Sequence, residues 1–223
     1  MISIIIPVYN EEAAIGRTLS ALPFGEDWEV IVVDGQSQDR TMDIVRQYPV
    51  RILTSPRGRA LQMNAGASAA RGNILLFLHA DCLLAREGLK ALEKQMVFNF
   101  VGGCFTHKID SPKWIYRFIE ASGHLRAVCF KIFYGDQAIF VTRDAFERIG
   151  GFEEVPLFED VLFSKKLCHM GKTIVLDDHA MVSPRRWERG GILKTTLLNW
   201  LLTSGFVLRV PADQLAKLYR NVR

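Results

Sequence analysis

The first half of the chain alternates between short apolar runs and helix-length segments. Four runs rich in Ile, Val and Leu lie at residues 2–6, 29–34, 50–54 and 73–79. Near-continuous hydrophobicity is typical of strands that are covered on both faces of a parallel sheet. The intervening segments predict helices at about 11–22, 39–48 and 58–71. Strand–helix–strand alternation predicts an α/β fold with a mostly parallel, doubly wound sheet flanked by helices.

The second half has a less regular pattern. Helices are predicted at 85–98, 112–130, 144–149 and 159–171, and further strands at 101–107, 138–142 and 173–177. Pro112 suits a first helical turn, and Gly171 suits a helix end. We expect one continuous α/β domain over residues 1–184 and a basic, partly apolar helical extension over 185–223.

Charge is concentrated in that extension. The chain carries a net charge of +4, but residues 185–223 hold eight basic and two acidic side chains, which leaves residues 1–184 mildly acidic. Such a segment predicts a phosphate-bearing ligand or an anionic membrane surface, although a solvated basic face gives the same pattern. The apolar stretch 192–210 is too short between Lys194 and Arg209 to span a bilayer. We favour a helix packed on the domain over an interfacial helix.

Composition narrows the class of protein. With 49% hydrophobic and 23% charged residues, the chain is neither disordered nor fibrous. The chain starts with a strand-like run that has no basic region or cleavage site ahead of it. The four cysteines form no C-x-x-C pair, so we expect reduced thiols in a cytoplasmic protein. These cysteines are Cys82, Cys104, Cys129 and Cys168.

Polar side chains follow the predicted strands where each strand ends. In parallel sheets, ligands bind beyond the carboxyl ends of the strands. Helix capping explains some of these residues equally well, Glu11 among them. It does not explain Asp34, which ends a buried run and must find hydrogen-bond donors such as a ribose or a base. The side chains at these strand ends are Pro7, Tyr9, Glu11, Asp34, His79 and Asp81.

Two arginines, Arg57 and Arg59, stand at the start of the predicted helix 58–71. Cations there oppose the helix dipole unless an anion is nearby. A bound diphosphate would convert this cost into two charge-assisted contacts, whereas arginines in solvent would need no ligand. The P-loop pattern is absent.

Together these segments resemble glycosyltransferase family 2, of the GT-A fold, from Ile2 to about Gly171. The motifs IIPVYNEE, VVDGQSQDRT, FLHAD and GGF…ED occur in the family's order. RGRALQMNAGA, FLHAD and GDQAIFV look most like the branch called rSAM/selenodomain-associated transferase 2.

The resemblance implies a nucleotide-diphosphate-sugar donor and a divalent cation, Mn²⁺ or Mg²⁺. Asp81 would meet the cation or the ribose, with His79 in place of the first acid of the DXD motif. Because imidazole suits Mn²⁺ better than Mg²⁺, the metal and the need for it stay open. The residues implied to hold the donor nucleotide are Pro7, Tyr9, Glu11, Asp34, Arg59, Asn64 and Asp81, with Arg57, Arg185 and Arg186 as further diphosphate contacts.

Asp160 matches the family's catalytic base, with Glu159 as its neighbour. Without the resemblance, two acids at a helix start are ordinary dipole residues. Gly135, Asp136 and Gln137 would lie on the acceptor side, or form a plain turn. Asp177, Asp178 and His179 are more simply read as a surface turn than as metal ligands.

The sequence thus predicts an inverting glycosyltransferase that moves a sugar to an acceptor hydroxyl. The alternatives are a nucleotidyltransferase of the same fold or a non-catalytic nucleotide-sugar-binding protein. We expect no nucleic-acid partner and a cytoplasmic location, peripheral at the inner face of the membrane if the extension binds lipid. The donor sugar, the acceptor and the oligomeric state stay open. Asp34, Asp81 and Asp160 must then meet around one cleft.

Overall fold

A computed structural model describes residues 1–25, 27–208 and 210–220. The strands are β1 Ile2–Val8, β2 Trp28–Asp34, β3 Arg51–Thr54, β4 Ile74–Phe77, β5 Cys82–Leu84, β6 Gly102–Ile109, β7 Ile139–Thr142 and β8 Thr173–Val182. The helices are α1 Ile15–Ala21, α2 Thr41–Val45, α3 Arg59–Ala69, α4 Arg86–Gln95, α5 Trp114–Phe130, α6 Arg143–Ile149, α7 Glu159–Met170, α8 Arg185–Gly190, α9 Ile192–Val207 and α10 Ala212–Arg220. Short 3₁₀ turns cover Met96–Phe98 and Gly135–Gln137.

The strands form an 8-stranded mixed sheet in the order β3-β2-β1-β4-β7-β6-β8-β5. β1 to β4 are mutually parallel, and β6 pairs parallel with β8. β7 runs antiparallel to β4 and β6, and β5 runs antiparallel to β8. The predicted α/β fold with a mostly parallel sheet is therefore confirmed.

Successive side chains of the central strands enter different cores because side chains alternate between the two faces of a sheet. Ile4 and Ile6 of β1 belong to one apolar cluster, whereas Ile5 belongs to the other. A Cβ atom at Gly66 of α3 would lie 2.4 Å from a methyl group of Ile5. Glycine at this position thus lets α3 pack closely on β1.

The surface turn predicted at residues 177–179 was wrong. β8 continues to Val182, so Asp177, Asp178 and His179 lie inside a strand rather than in a surface turn. The register against β6 shifts there, because Phe105 is opposite Leu176 and Thr106 is opposite His179. The two aspartates are thus the extra residues of a β-bulge.

The C-terminal helices pack on the sheet domain. Leu202 of α9 and Leu215 of α10 share an apolar cluster with Phe158 and Val161 at the start of α7. Trp187 of α8 packs with Tyr116 of α5. Throughout the described ranges, no helix has the length and apolarity needed to cross a bilayer. This arrangement agrees with the favoured interpretation that the apolar stretch 192–210 forms a helix packed on the domain. Arg209, which belongs to that stretch, lies outside the described residues.

Candidate active site

A cleft of about 340 Å³ opens at the carboxyl edge of the parallel strands. Its wall combines the ends of β1 and β4, the start of α3, the Gly135–Gln137 turn, the start of α7 and the C-terminal helices. Of the predicted site residues, it brings together Pro7, Tyr9, Glu11, Arg57, Arg59, His79, Asp81, Gly135, Asp136, Asp160 and Arg186. These residues are separated by up to 179 positions in the chain, and the sheet topology explains their meeting.

One side of the cleft is formed by the segment after β1. The guanidinium of Arg57 lies over the ring of Tyr9, 4.0 Å from its centroid. The backbone N–H of Glu11 donates to Thr41 Oγ1 at 2.7 Å, which ties this segment to α2. This side offers an aromatic face and a cation, a combination that suits a base and its phosphates.

Two acids stand at the start of α7, of which Asp160 lines the cleft and Glu159 is buried behind it. Glu159 is 4% exposed and accepts a 2.8 Å hydrogen bond from Nη1 of Arg59. This ion pair raises the pKa of Arg59 above its already high value. The paired charges explain how a carboxylate is tolerated in this buried position.

Asp160 faces the cleft beside that ion pair. Its Oδ2 accepts from the N–H of Gly135 at 2.7 Å, and its Oδ1 accepts from the N–H of Val161 at 2.8 Å. Burial and the negative charge of Glu159 raise the pKa of Asp160 to about 7, although Arg59 and the Gly135 N–H act in the opposite direction. A carboxylate with such a pKa can accept a proton near neutral pH.

His79 lies under the same turn. Among the described residues, its buried Nε2 atom has no hydrogen-bond partner, and a Cβ atom at Gly135 would lie 2.4 Å from it. Burial, reinforced by the positive charge of Arg59, lowers the pKa of His79 and favours the neutral ring. The imidazole therefore packs against the peptide that supports Asp160.

Asp136, in the Gly135–Gln137 turn, belongs to a second pair of titratable groups. Its Oδ2 lies 3.8 Å from Nε2 of His107. Although burial acts to raise it, the pKa of Asp136 is lowered, chiefly because of His107 and Arg126. Gln137, next along the turn, does not reach the cleft wall, since its Oε1 accepts from Nη2 of Arg126 at 2.6 Å.

Arg185 lies between two acids that line the cleft and is not itself part of the cleft wall. Its Nη2 is 3.6 Å from Oε2 of Glu11 and 3.6 Å from Oδ2 of Asp81. Arg186 lies on the cleft wall, where it donates to Oδ1 of Asn199 at 2.8 Å. α8 thus places two cations beside the predicted donor side.

The family model described as "Glycosyl transferase family 2" matches residues 3–155, more than half of the sequence. The chain belongs to glycosyltransferase family 2. The narrower resemblance to the rSAM/selenodomain-associated branch stays a prediction.

Among curated proteins, family 2 relatives match over different lengths. A probable glycosyltransferase YdaM of Bacillus subtilis is 26% identical and aligns with 99% of this chain and 59% of its own length. A dolichyl-phosphate beta-glucosyltransferase of Trichomonas vaginalis is 30% identical over 43% of this chain and 35% of its own length. The chain thus spans between about a third and three fifths of these relatives.

Solved structures show the same fold. A mannosyltransferase from Pyrobaculum calidifontis, in complex with GDP-Man and Mn²⁺, has a TM-score of 0.64 at 26% identity and covers 81% of this chain and 56% of its own. S. aureus TarS 1–349, in complex with UDP, has a TM-score of 0.62 at 21% identity and covers 96% of this chain and 76% of its own. Together with the family match, these likenesses confirm the GT-A-like architecture.

Asp34 lies outside the cleft wall in this family 2 chain. It ends β2 opposite Val8 and is 7% exposed, at the same edge of the sheet as the cleft. Its Oδ1 accepts from the N–H of Ser37 at 3.0 Å. A backbone donor in its own turn therefore explains its burial, contrary to the expectation that a ligand had to supply one.

Asn64 was also expected at the nucleotide, and the structure places it elsewhere. Its Nδ2 donates to the carbonyl of Phe152 and its Oδ1 accepts from the N–H of Phe152, both at 2.9 Å. These two bonds join α3 to the loop before α7. Asn64 thus supports the scaffold and does not line the cleft.

The similar mannosyltransferase structure contains Mn²⁺, which raises the question of whether the residues of this cleft suit a divalent cation. Within the described part of the chain, no three His, Cys, Asp or Glu side chains form a metal cluster. Mg²⁺-like ions need only one or two carboxylates when substrate phosphates supply the other ligands. Asp81 can supply one such carboxylate, and Arg185, whose Nη2 lies 3.6 Å from its Oδ2, would have to move away. His79 does not fit, because its Nε2 is directed at Gly135.

Several wall residues were missed by sequence reasoning. Gln62 of α3 donates through Nε2 to the carbonyls of Val8 and Val33, each at 2.8 Å, and so holds the ends of β1 and β2 together. A polar residue in an apolar helix stretch was the one available signal for Gln62. Other missed wall residues include Tyr134 and, from the C-terminal helices, Asn199, Leu202, Thr203 and Tyr219.

Proposed function

We propose that this chain is an inverting glycosyltransferase that moves a sugar from a nucleotide-diphosphate sugar to an acceptor hydroxyl. The observation that carries the proposal is Asp160, a cleft carboxylate with a raised pKa that is held by the Gly135 N–H. A hydroxyl is a poor nucleophile until a base takes its proton, and a positioned carboxylate contributes about 10²–10⁴ in rate.

In the proposed reaction, Asp160 accepts the proton of the acceptor hydroxyl. The acceptor oxygen forms a bond to the anomeric carbon on the face opposite the diphosphate. The bond between that carbon and the phosphate oxygen breaks, and its electron pair leaves with the diphosphate. Gly135 keeps the carboxylate oriented through its 2.7 Å hydrogen bond.

The donor would lie along the β1 side of the cleft. Pro7, Tyr9 and Glu11 would contact the base and ribose, with Asp34 supporting them from behind. Arg57, Arg185 and Arg186 would stabilise the negative charge that grows on the diphosphate. Arg59 would act mainly through Glu159, because its guanidinium is already paired with that carboxylate.

Asp81 would hold a divalent cation, Mn²⁺ or Mg²⁺, together with donor phosphate oxygens. When bound, this ion supplies a positive charge that stabilises the leaving diphosphate. Arg185 would have to yield its position beside Asp81, and Glu11 offers it a second carboxylate at the same distance.

We also propose that residues 1–184 and 185–223 have different roles. Residues 1–184 would hold the base and ribose of the donor and supply the catalytic base. The extension would add Arg185 and Arg186 at the diphosphate and cover the cleft with Asn199, Leu202 and Thr203. The basic balance of that extension supports a cytoplasmic chain held peripherally at the inner face of the membrane.

The test is a thermal-shift panel of nucleoside diphosphates and nucleotide sugars, with EDTA, Mn²⁺ or Mg²⁺. A ligand at 100 times its dissociation constant stabilises the folded state by about 2.7 kcal/mol. We expect a shift with one base, larger with a divalent cation than with EDTA. No shift with any member would contradict the proposal, and pyrophosphate release from a nucleoside triphosphate and a sugar phosphate would instead indicate a nucleotidyltransferase.

A further inference from the structure

Helix α5 exposes an apolar stripe to solvent. Trp114 is 78% exposed, Phe118 60% and Leu125 59%. Their spacing of four and seven residues places them on one side of the helix. Tyr116 and Ala127, on the other side, are buried. The side chains of this stripe therefore lie on the side of α5 that faces away from the domain.

Helix α9 exposes a second stripe of the same kind. Leu193 is 69% exposed, Leu197 60%, Leu201 62% and Trp200 46%. In chain order, these four residues are four, three and one positions apart, which places them on one side of the helix. Leu202 is buried on the far side.

The two stripes meet and form one surface, which we call the α5/α9 face. The rings of Phe118 and Trp200 lie 6.4 Å apart. Beneath them, Ile119 of α5 and Ile192 of α9 pack against the same buried cluster around Trp187. Several exposed apolar side chains that form one continuous patch mark an interaction site.

The helices of this face carry more basic than acidic side chains. The segments 111–131 and 185–208 each hold four basic residues and one acidic residue. Of these basic residues, Arg126 donates to Gln137, and Arg185 and Arg186 lie at the cleft. Lys113 and Lys194, next to the exposed Trp114 and Leu193, are themselves exposed. Apolar side chains bordered by lysine and arginine suit an anionic lipid surface.

The α5/α9 face is also close to the cleft. Asn199, Leu202 and Thr203 line the cleft from one side of α9, whereas Leu197 and Leu201 lie on its exposed side. A helix with its side chains is about 10 Å across. The acceptor side of the cleft would then lie within one helix diameter of whatever covers the face.

We propose that the α5/α9 face docks on an anionic lipid bilayer, with Trp114, Phe118, Leu197 and Trp200 entering the headgroup region. The bilayer is favoured over a second copy of the chain because two copies of this face would bring like-charged borders together. The inference deepens the proposed function by naming the surface, but lipid binding itself does not depend on the transfer reaction.

The test is co-sedimentation of the full chain with vesicles of phosphatidylglycerol and phosphatidylcholine in equal parts, and with phosphatidylcholine alone. We expect binding to the anionic vesicles, weakened by salt. Leu197→Glu and Trp114→Glu should each weaken it about tenfold or more, because a buried large apolar side chain contributes about that factor. Val97→Glu is the matched control. Val97 is 78% exposed. Its neighbour Met96 packs against the apolar cluster on one face of the sheet, whereas Ala127 of α5 belongs to the cluster on the other face, so Val97 lies away from the α5/α9 face.

Equal vesicle binding by all four proteins, or no binding to anionic vesicles at low salt, would overturn the inference. So would a dimer in light scattering that Leu197→Glu converts to a monomer. Thermal shifts with UDP and GDP on the same variants report separately on the proposed function. Vesicle binding without any nucleotide shift would contradict that function and leave the docking face in place.

Discussion

Nη1 of Arg59 lies 2.8 Å from Oε1 of Glu159, and Glu159 directly precedes Asp160 in the chain. An ion pair thus flanks the carboxylate that we propose as the base. Glu159 acts to raise the pKa of Asp160 and Arg59 acts to lower it. Burial is the largest cause of the raised pKa of Asp160, and the ion pair adjusts the pH at which this carboxyl becomes ionised.

Glu159→Gln should shift the acid limb of the pH–rate profile to lower pH. The variant removes the negative neighbour of Asp160 and leaves the positive charge of Arg59, so the pKa of Asp160 falls from about 7. A shift of about one pH unit is expected for such a change. The measurement is kcat between pH 5 and pH 9, within the range over which a melting curve shows the variant folded. An unchanged limb would mean that Asp160 is not the titrating base.

Gly135→Ala should impair catalysis through the loop that supports Asp160. The new Cβ would lie 2.4 Å from Nε2 of His79, so the turn must move and the 2.7 Å bond from Gly135 to Asp160 must lengthen. We expect kcat to fall about tenfold or more, with the acid limb shifted to higher pH because a donor to the carboxylate is lost.

Gly25→Ala is the control for this variant, since no described residue other than its chain neighbours lies within 4 Å of a Cβ at that position. It should match the wild type in both kcat and pH profile. If Gly135→Ala also matched the wild type, the turn would not position the base.

Asn64→Ala should destabilise the fold and spare nucleotide binding. It removes both hydrogen bonds to the backbone of Phe152. The loss should lower the free energy of unfolding by about 1–3 kcal/mol in urea titration. The exposed Asn73→Ala serves as the control. Normal stability with lost nucleotide binding would reverse this assignment and return Asn64 to the nucleotide site.

Asp160→Asn should stabilise the protein increasingly as pH rises. An acid whose pKa is raised from 3.8 to about 7 on folding disfavours the folded state once the unfolded chain ionises, so wild-type stability falls from about pH 4 to pH 7. Asparagine cannot ionise. The melting temperature of the variant should therefore exceed that of the wild type at pH 8, with a smaller gap at pH 4. A constant gap would show that the pKa of Asp160 is not raised.

The strands were predictable where burial on both faces of the sheet requires a continuous apolar run in the sequence. β1 and β2 are of this kind, and their polar ends correctly indicated the edge where the cleft opens. β5, Cys82–Leu84, was missed because three residues are too few to show a pattern. The bulge in β8 was missed because Asp177 and Asp178 read as a turn.

Side-chain partners were the part that the sequence could not specify. Asp34 looked as if it required a ligand, yet its donor is the backbone of Ser37, three residues away. Asn64 bonds across 88 positions to Phe152, and no local pattern encodes such a pairing. The part of the cleft wall that α9 forms also depends on tertiary packing. The sequence therefore identified its residues as part of an apolar helix and not as site residues.

The central claim is that Asp160 removes the proton of the acceptor, and turnover of Asp160→Asn tests it most directly. Asp144→Asn is the matched control, because Asp144 also lies in a first helical turn but is 70% exposed. With the donor identified by the nucleotide panel, we expect acceptor-dependent release of nucleoside diphosphate to fall about 100-fold or more in Asp160→Asn, while nucleoside diphosphate affinity and the Asp144→Asn rate stay at the wild-type level. Turnover of Asp160→Asn within a few-fold of the wild type would contradict the claim.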